Sequence, residues 1–118
     1  MRRTALLVAL LFVVAAAPRV KADAILTLRV TPAIAREPAS LKIVAIIPAD
    51  DRNCGLDIVV HSDGYERSSH IQLDGREAQR VWNLEFRDVP RGDYNVIGTL
   101  TGSEGRRATV MRVVVVMP

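Results

Sequence analysis

Apolar and polar residues alternate along most of this chain after its first two dozen positions. Leu26, Leu28 and Val30 alternate with Thr27 and Arg29 up to Pro32. Leu41, Ile43, Ala45 and Ile47 alternate with Lys42, Val44 and Ile46 up to Pro48. Leu56, Ile58 and Val60 alternate with Asp57, Val59 and His61, and Ser62-Asp63-Gly64 is a turn signal. A period of two bounded by turn formers marks a half-buried strand. A more polar strand follows from Glu66 to Leu73 and stops at Asp74-Gly75. Trp82, Leu84 and Phe86 then face one way while Val81, Asn83 and Glu85 face the other. After a corner at Val89-Pro90-Arg91-Gly92, Tyr94, Val96, Gly98 and Leu100 form an inward face, and Gly102-Ser103-Glu104-Gly105 closes a hairpin. The last strand runs from Arg107 to Val116. Its Val113–Val116 run is apolar on both faces, which predicts cover on both sides or pairing at depth.

Seven strands follow, with no helical period. Ala33 to Ser40 is broken by Pro32 and Pro38 and reads as a loop. Seven short antiparallel strands in about 100 residues predict an all-β, seven-stranded immunoglobulin-like sandwich; a small barrel is the alternative.

The first 22 residues have a different pattern. Met1-Arg2-Arg3 is basic, Thr4 to Ala17 is almost wholly apolar, and Val20-Lys21-Ala22 precedes a candidate cleavage point. These are the three regions of a secretory signal peptide, and the apolar run falls short of the roughly 20 residues of a membrane span. Residues 1–22 are therefore expected to be a cleavable leader and residues 23–118 the exported domain, periplasmic or secreted, with no membrane span after cleavage.

Processing changes the charge. Removing 22 of the 118 residues leaves 96, enough for one domain. Four of the 16 basic residues (Arg2, Arg3, Arg19, Lys21) lie in the leader and none of the 13 acidic ones does, so the remainder holds 12 against 13, a net −1. The basic balance of the whole chain is therefore no argument for nucleic acid, and the remaining basic residues form no stripe. Cys54 is the only cysteine, so no internal disulfide can form and stability rests on the packed core.

The most specific stretch is Phe86-Arg87-Asp88-Val89-Pro90-Arg91-Gly92-Asp93-Tyr94-Asn95-Val96. Phe86 ends a core strand, Pro90 and Gly92 turn the chain, and Tyr94 re-enters the core with its hydroxyl free to bond back to the corner backbone. The stretch resembles the F-x-x-[L/V]-P-x-G-x-Y-x-V corner of bacterial immunoglobulin-like, prealbumin-like and carboxypeptidase regulatory-like sandwich domains. The glycine-rich opening typical of the prealbumin-like group is missing, which favours an immunoglobulin-like or fibronectin-III-like label. The resemblance implies a tyrosine corner and no catalytic residue. Val96 stands where an antibody-type domain would carry a cysteine.

Candidate chemistry is sparse. Cys54, His61 and His70 match no zinc spacing, and the histidines read as solvated surface groups. Asp50-Asp51, with Asp63, could offer oxygens to calcium but lacks the loop spacing of such sites; a solvated acidic loop is expected. No serine occupies a nucleophile elbow. Lys42, Asn95 and Glu85 would suit an isopeptide cross-link only if buried, and alternation places Lys42 and Asn95 outward. Cys54 is a candidate intermolecular thiol, but its position directly before a core strand favours burial.

No catalytic residue, cofactor or metal ligand is expected. The sequence points to a non-catalytic exported module that binds a protein or cell-envelope partner. The competing reading is a structural subunit, a homo-oligomer pairing through an edge strand. Mass spectrometry of the exported protein should find Asp23 at the N-terminus; an intact Met1 on cytoplasmic protein would refute export.

Overall fold

The computed structural model describes residues 25–118; the leader and its cleavage point lie outside them. The described residues form an all-β sandwich of two sheets. β1 (Thr27–Thr31), β3 (Ala39–Ile46) and β6 (Val81–Val89) make a three-stranded sheet in the order β1-β3-β6. β2 (Ile34–Arg36), β4 (Asn53–Ser62), β5 (Tyr65–Gln72), β7 (Gly92–Gly102) and β8 (Gly105–Met117) make a five-stranded sheet in the order β2-β8-β7-β4-β5.

The expected seven antiparallel strands become eight among the described residues, and one pairing is parallel. The additional strand is β2, inside the segment expected to be a loop. The chain leaves the first sheet near Pro32 and lays Ile34–Arg36 parallel to Val115–Met117. Bonds from Val115 N–H to Ala33 C=O (2.9 Å) and from Glu37 N–H to Met117 C=O (2.8 Å) hold it there. Three residues between two prolines carry no readable alternation, so only tertiary pairing reveals this strand.

Elsewhere the period of two becomes two inward faces. Leu28, Leu41, Ile43 and Ala45 of one sheet meet Leu56, Ile58, Val60, Val96, Leu100 and Val114 of the other, all fully buried. Each large aliphatic side chain stabilises by about 1.5–3 kcal/mol. Gly98 also faces inward. A Cβ there would lie 3.3 Å from Leu28 Cδ2 and 3.4 Å from Ile58 Cδ1, so its missing side chain lets β1 close over β7.

The valine run is not covered on both faces. Val114 and Val116 are buried, but Val113 is 61% exposed. β7 pairs with one edge of β8, and β2 pairs with the other at Val115–Met117. Backbone pairing on both edges leaves the outward face open, because no described element stands over it.

Three bulges shape the sheets. One places Arg87 and Asp88 opposite Ser40, with Asp88 at φ 57°; Asp tolerates this left-handed region better than most residues. A second inserts Cys54 into β4 and a third inserts Arg107 into β8, both opposite the end of β7.

Phe86 lies in the three-stranded sheet and Tyr94 in the five-stranded one, so the chain crosses between sheets at Pro90. The Tyr94 ring is 1% exposed and its hydroxyl donates to the Pro90 carbonyl at 2.6 Å. Tyr94→Phe should cost about 1 kcal/mol in denaturant unfolding through one lost hydrogen bond. Tyr94→Ala should cost roughly 3–5 kcal/mol through lost packing. An unchanged midpoint for Tyr94→Ala would refute the locking role of this ring.

Candidate functional site

The Phe86–Tyr94 corner is built for closure. Gly92 lies under the Tyr94 ring, where a Cβ would come within 3.2 Å of it. Tyr65 packs edge-on against Tyr94, with centroids 5.6 Å apart and planes at 88°. Burial pushes the Tyr94 hydroxyl above the usual tyrosine range, against an opposing hydrogen bond with Ser62. Arg67 lies 5.6 Å above the Phe86 ring and donates to the Arg87 carbonyl at 3.1 Å. These contacts hold the sheets together and present no reactive group to solvent.

The opposite end carries a polar lock. Asn53 is 2% exposed, the one fully buried polar residue among those described. Its amide donates to the Pro48 carbonyl at 2.8 Å, and its Oδ1 accepts from Arg107 Nη1 at 2.6 Å. Arg107 Nη2 reaches Asp50 at 3.0 Å. Asp50 also accepts from the backbone N–H of Arg52 at 2.8 Å and from its guanidinium at 3.1 and 2.9 Å. The Arg52 hydrogen bonds, with the nearby Arg107 charge, hold the Asp50 carboxyl far below the usual carboxylate range.

Asp50 is thus held by two arginines and mostly covered, while the rest of the acidic loop is solvated as expected, Asp51 being 80% exposed. Asp51 pairs with Arg76 at 3.1 Å, and Asp63 follows the far end of β4. Among the described residues no three His, Cys, Asp or Glu side chains converge as a metal site would need. Sequence reading missed the lock because Arg107 lies 54 and 57 positions from its partners. A bulge turns it inward, and Gly102 makes the room: a Cβ there would lie 2.6 Å from Arg107 Cδ.

The histidines sit apart. His70 bonds Asp57 at 2.6 Å and His61 bonds Glu66 at 2.9 Å, as exposed cross-strand pairs on the outward face of β4 and β5. Lys42 of β3 faces Glu85 of β6, whereas Asn95 lies on β7 in the other sheet, so the three do not meet. Cys54 is exposed, contrary to the burial expected from its position before a core strand. Its bulge throws the thiol out of the alternation, and Sγ rests 3.4 Å from the Arg52 carbonyl.

The outward face of the five-stranded sheet carries the one extended apolar feature that alternation did not assign. Six large apolar residues are exposed among those described, and four of them, Ile34, Met111, Val113 and Met117, lie on this face. The register continues the patch inward: Met111 stands opposite Ile97, and Ile97 opposite Val59. Val113 stands opposite Asn95, and Val115 lies between Asp93 and Ile34. Contiguous apolar patches of this kind are common at contact surfaces.

Compared with protein-family models, with curated proteins and with solved structures, the chain matches none.

A maleimide should label the exposed Cys54 of the native protein at one thiol per chain within minutes. Labelling only in denaturant would return the residue to the core and remove the β4 bulge.

Proposed function

We propose that this chain is an exported immunoglobulin-like module that acts without catalysis, by docking on a protein or cell-envelope partner. The observation that carries the reading is the outward apolar face of β8 and β2. The inward faces already fill the core, so Met111, Val113 and Ile34 contribute nothing to it, and exposing them costs solubility. Their retention as large apolar side chains on one face fits a surface that is covered in use. The immunoglobulin-like label is supported by the division into sheets of three and five strands and by the tyrosine corner. Export is supported by the pattern of residues 1–22, and the near-neutral remainder gives no support to a nucleic-acid partner.

The competing reading has the valine-rich terminal strand pairing with a neighbour. It requires a free edge, and β7 and β2 together close both edges of β8 only at Val115 and Val116; from Gly105 to Val114 no described strand pairs with the side away from β7. The face is preferred because the side chains exposed on it are large and apolar.

A photo-reactive residue at position 113 tests the reading in the cell that makes the protein. Cross-linking from 113, but not from position 42 on the outward face of the other sheet, is the expected outcome. Cross-linking from 42 alone, or from neither, would contradict it.

A further inference from the structure

The outward apolar face lies along one border of its sheet, and that border is basic. β2 and β8, the strands that form it, hold four arginines and no acidic residue. Two of the four are engaged within the fold: Arg107 on Asn53 and Asp50, and Arg112 on the Leu28 carbonyl at 3.0 Å. The other two are Arg36, opposite Met117, and Arg106, opposite Thr101. Both are exposed on the outward face, and neither has an ion-pair partner among the described residues. They stand at the two ends of the stripe, roughly 33 Å apart at about 3.3 Å per residue, with Met111, Val113 and Val115 between them. The acidic residues of this face lie farther from the border: Asp93 on β7, Asp57 on β4 and Glu66 on β5. Charge thus runs from basic at the border to acidic across the sheet.

We propose that this border rests on an anionic lipid surface, with Ile34, Met111, Val113 and Met117 sunk to the level of the acyl-chain ends and Arg36 and Arg106 on lipid phosphates. The inference rests on the reading of this face as a docking surface and names the cell-envelope component that docks there. Charge complementarity makes the choice. Two guanidiniums without carboxylate partners call for anions, and the bare apolar side chains between them call for apolar cover. A bilayer interface supplies both together, as it does for amphipathic surfaces that set arginines beside apolar residues. A soluble polyanion would pair the arginines and leave the apolar side chains in water. A folded acidic partner would need carboxylates preset at the spacing of Arg36 and Arg106, whereas lipids diffuse to each arginine separately. The long arginine side chains let the apolar ones sink while the guanidiniums stay at headgroup level. The acids set the orientation. Asp57 and Glu66 lie two and three strand spacings from β8, about 10 and 14 Å. That equals or exceeds the screening length of about 8–10 Å, so the sheet stands on its β2-β8 border with β4 and β5 lifted off the headgroups. Asp93, opposite Val115, remains near the surface and opposes binding.

Flotation with vesicles tests the proposal, on the processed chain from the exporting cell so that the apolar leader takes no part. Vesicles of phosphatidylcholine with about 30 mol% phosphatidylglycerol should carry the protein, and phosphatidylcholine alone should bind it roughly tenfold more weakly or less. Arg36→Gln with Arg106→Gln should weaken binding to the anionic vesicles about 25-fold, about fivefold for each charge removed. Met111→Ser with Val113→Ser leaves the charge unchanged and should weaken binding roughly tenfold or more. The two positions are 53% and 61% exposed, so this variant should keep its fold. Asp93→Asn should tighten binding, and Lys42→Gln, on the outward face of the other sheet, should leave it unchanged. A wild type that does not float overturns the proposal, as does equal binding to neutral vesicles or binding indifferent to either pair of substitutions. A cross-link from position 113 to a protein, with no flotation, would leave the docking reading standing and the lipid refuted. Neither flotation nor a cross-link would refute both.

Discussion

Two inward β faces pack against each other here with no covalent tie between them, and the rest of the molecule depends on that contact. One cysteine cannot supply the cross-link that small exported domains often use. The aliphatic core must therefore be dry and in register. A slip of one residue in any strand would turn its whole buried set outward. Two polar locks stand at opposite ends of the strands and fix the register there. At one end Tyr94 bonds back to Pro90 across the chain's passage between sheets. At the other, Arg107 reaches Asn53 and Asp50, so that the start of β8, the start of β4 and the loop before it are one hydrogen-bonded unit. A half-buried guanidinium is tolerated in that place because a carboxylate and an amide oxygen satisfy it.

The strands with strict alternation were legible from sequence because one period decides both their conformation and their facing. β3, β4, β6 and β7 are of this kind, and their inward residues are those expected. The corner was legible because Pro90, Gly92 and Tyr94 each serve a local geometric need. Three features were not legible. β2 is three residues between prolines and exists only because β8 offers it an edge. Cys54 follows the bulge rather than the alternation, so its position before a core strand misleads. The Arg107 lock joins residues more than fifty positions apart through a bulge and an absent side chain at Gly102, and no local pattern reports such a contact. Asp50 misleads for the same reason, since its arginine partner on β8 is invisible in its own neighbourhood.

The terminal valines show where pattern reading stops. A run of four identical apolar residues gives no facing of its own, and deep burial is the natural expectation. The structure divides the run: Val114 and Val116 close the core, while Val113 and Val115 join Met111, Met117 and Ile34 on a face that no described element covers. The functional reading depends on this division. If the outward set were core, the chain would have no distinctive apolar surface; because Val113 and its neighbours are exposed, the proposed docking face has side chains to rest on.

Paired unfolding measurements on Val113→Asp and Val114→Asp test that division most directly. The account predicts that Val113→Asp shifts stability by no more than about 0.5 kcal/mol, as an exposed substitution should. It predicts that Val114→Asp, which buries an unpaired carboxylate, costs several kcal/mol or abolishes folding. Equal costs at the two positions, or a greater cost at Val113, would show that the two faces of β8 have been misassigned and would remove the basis for the docking surface.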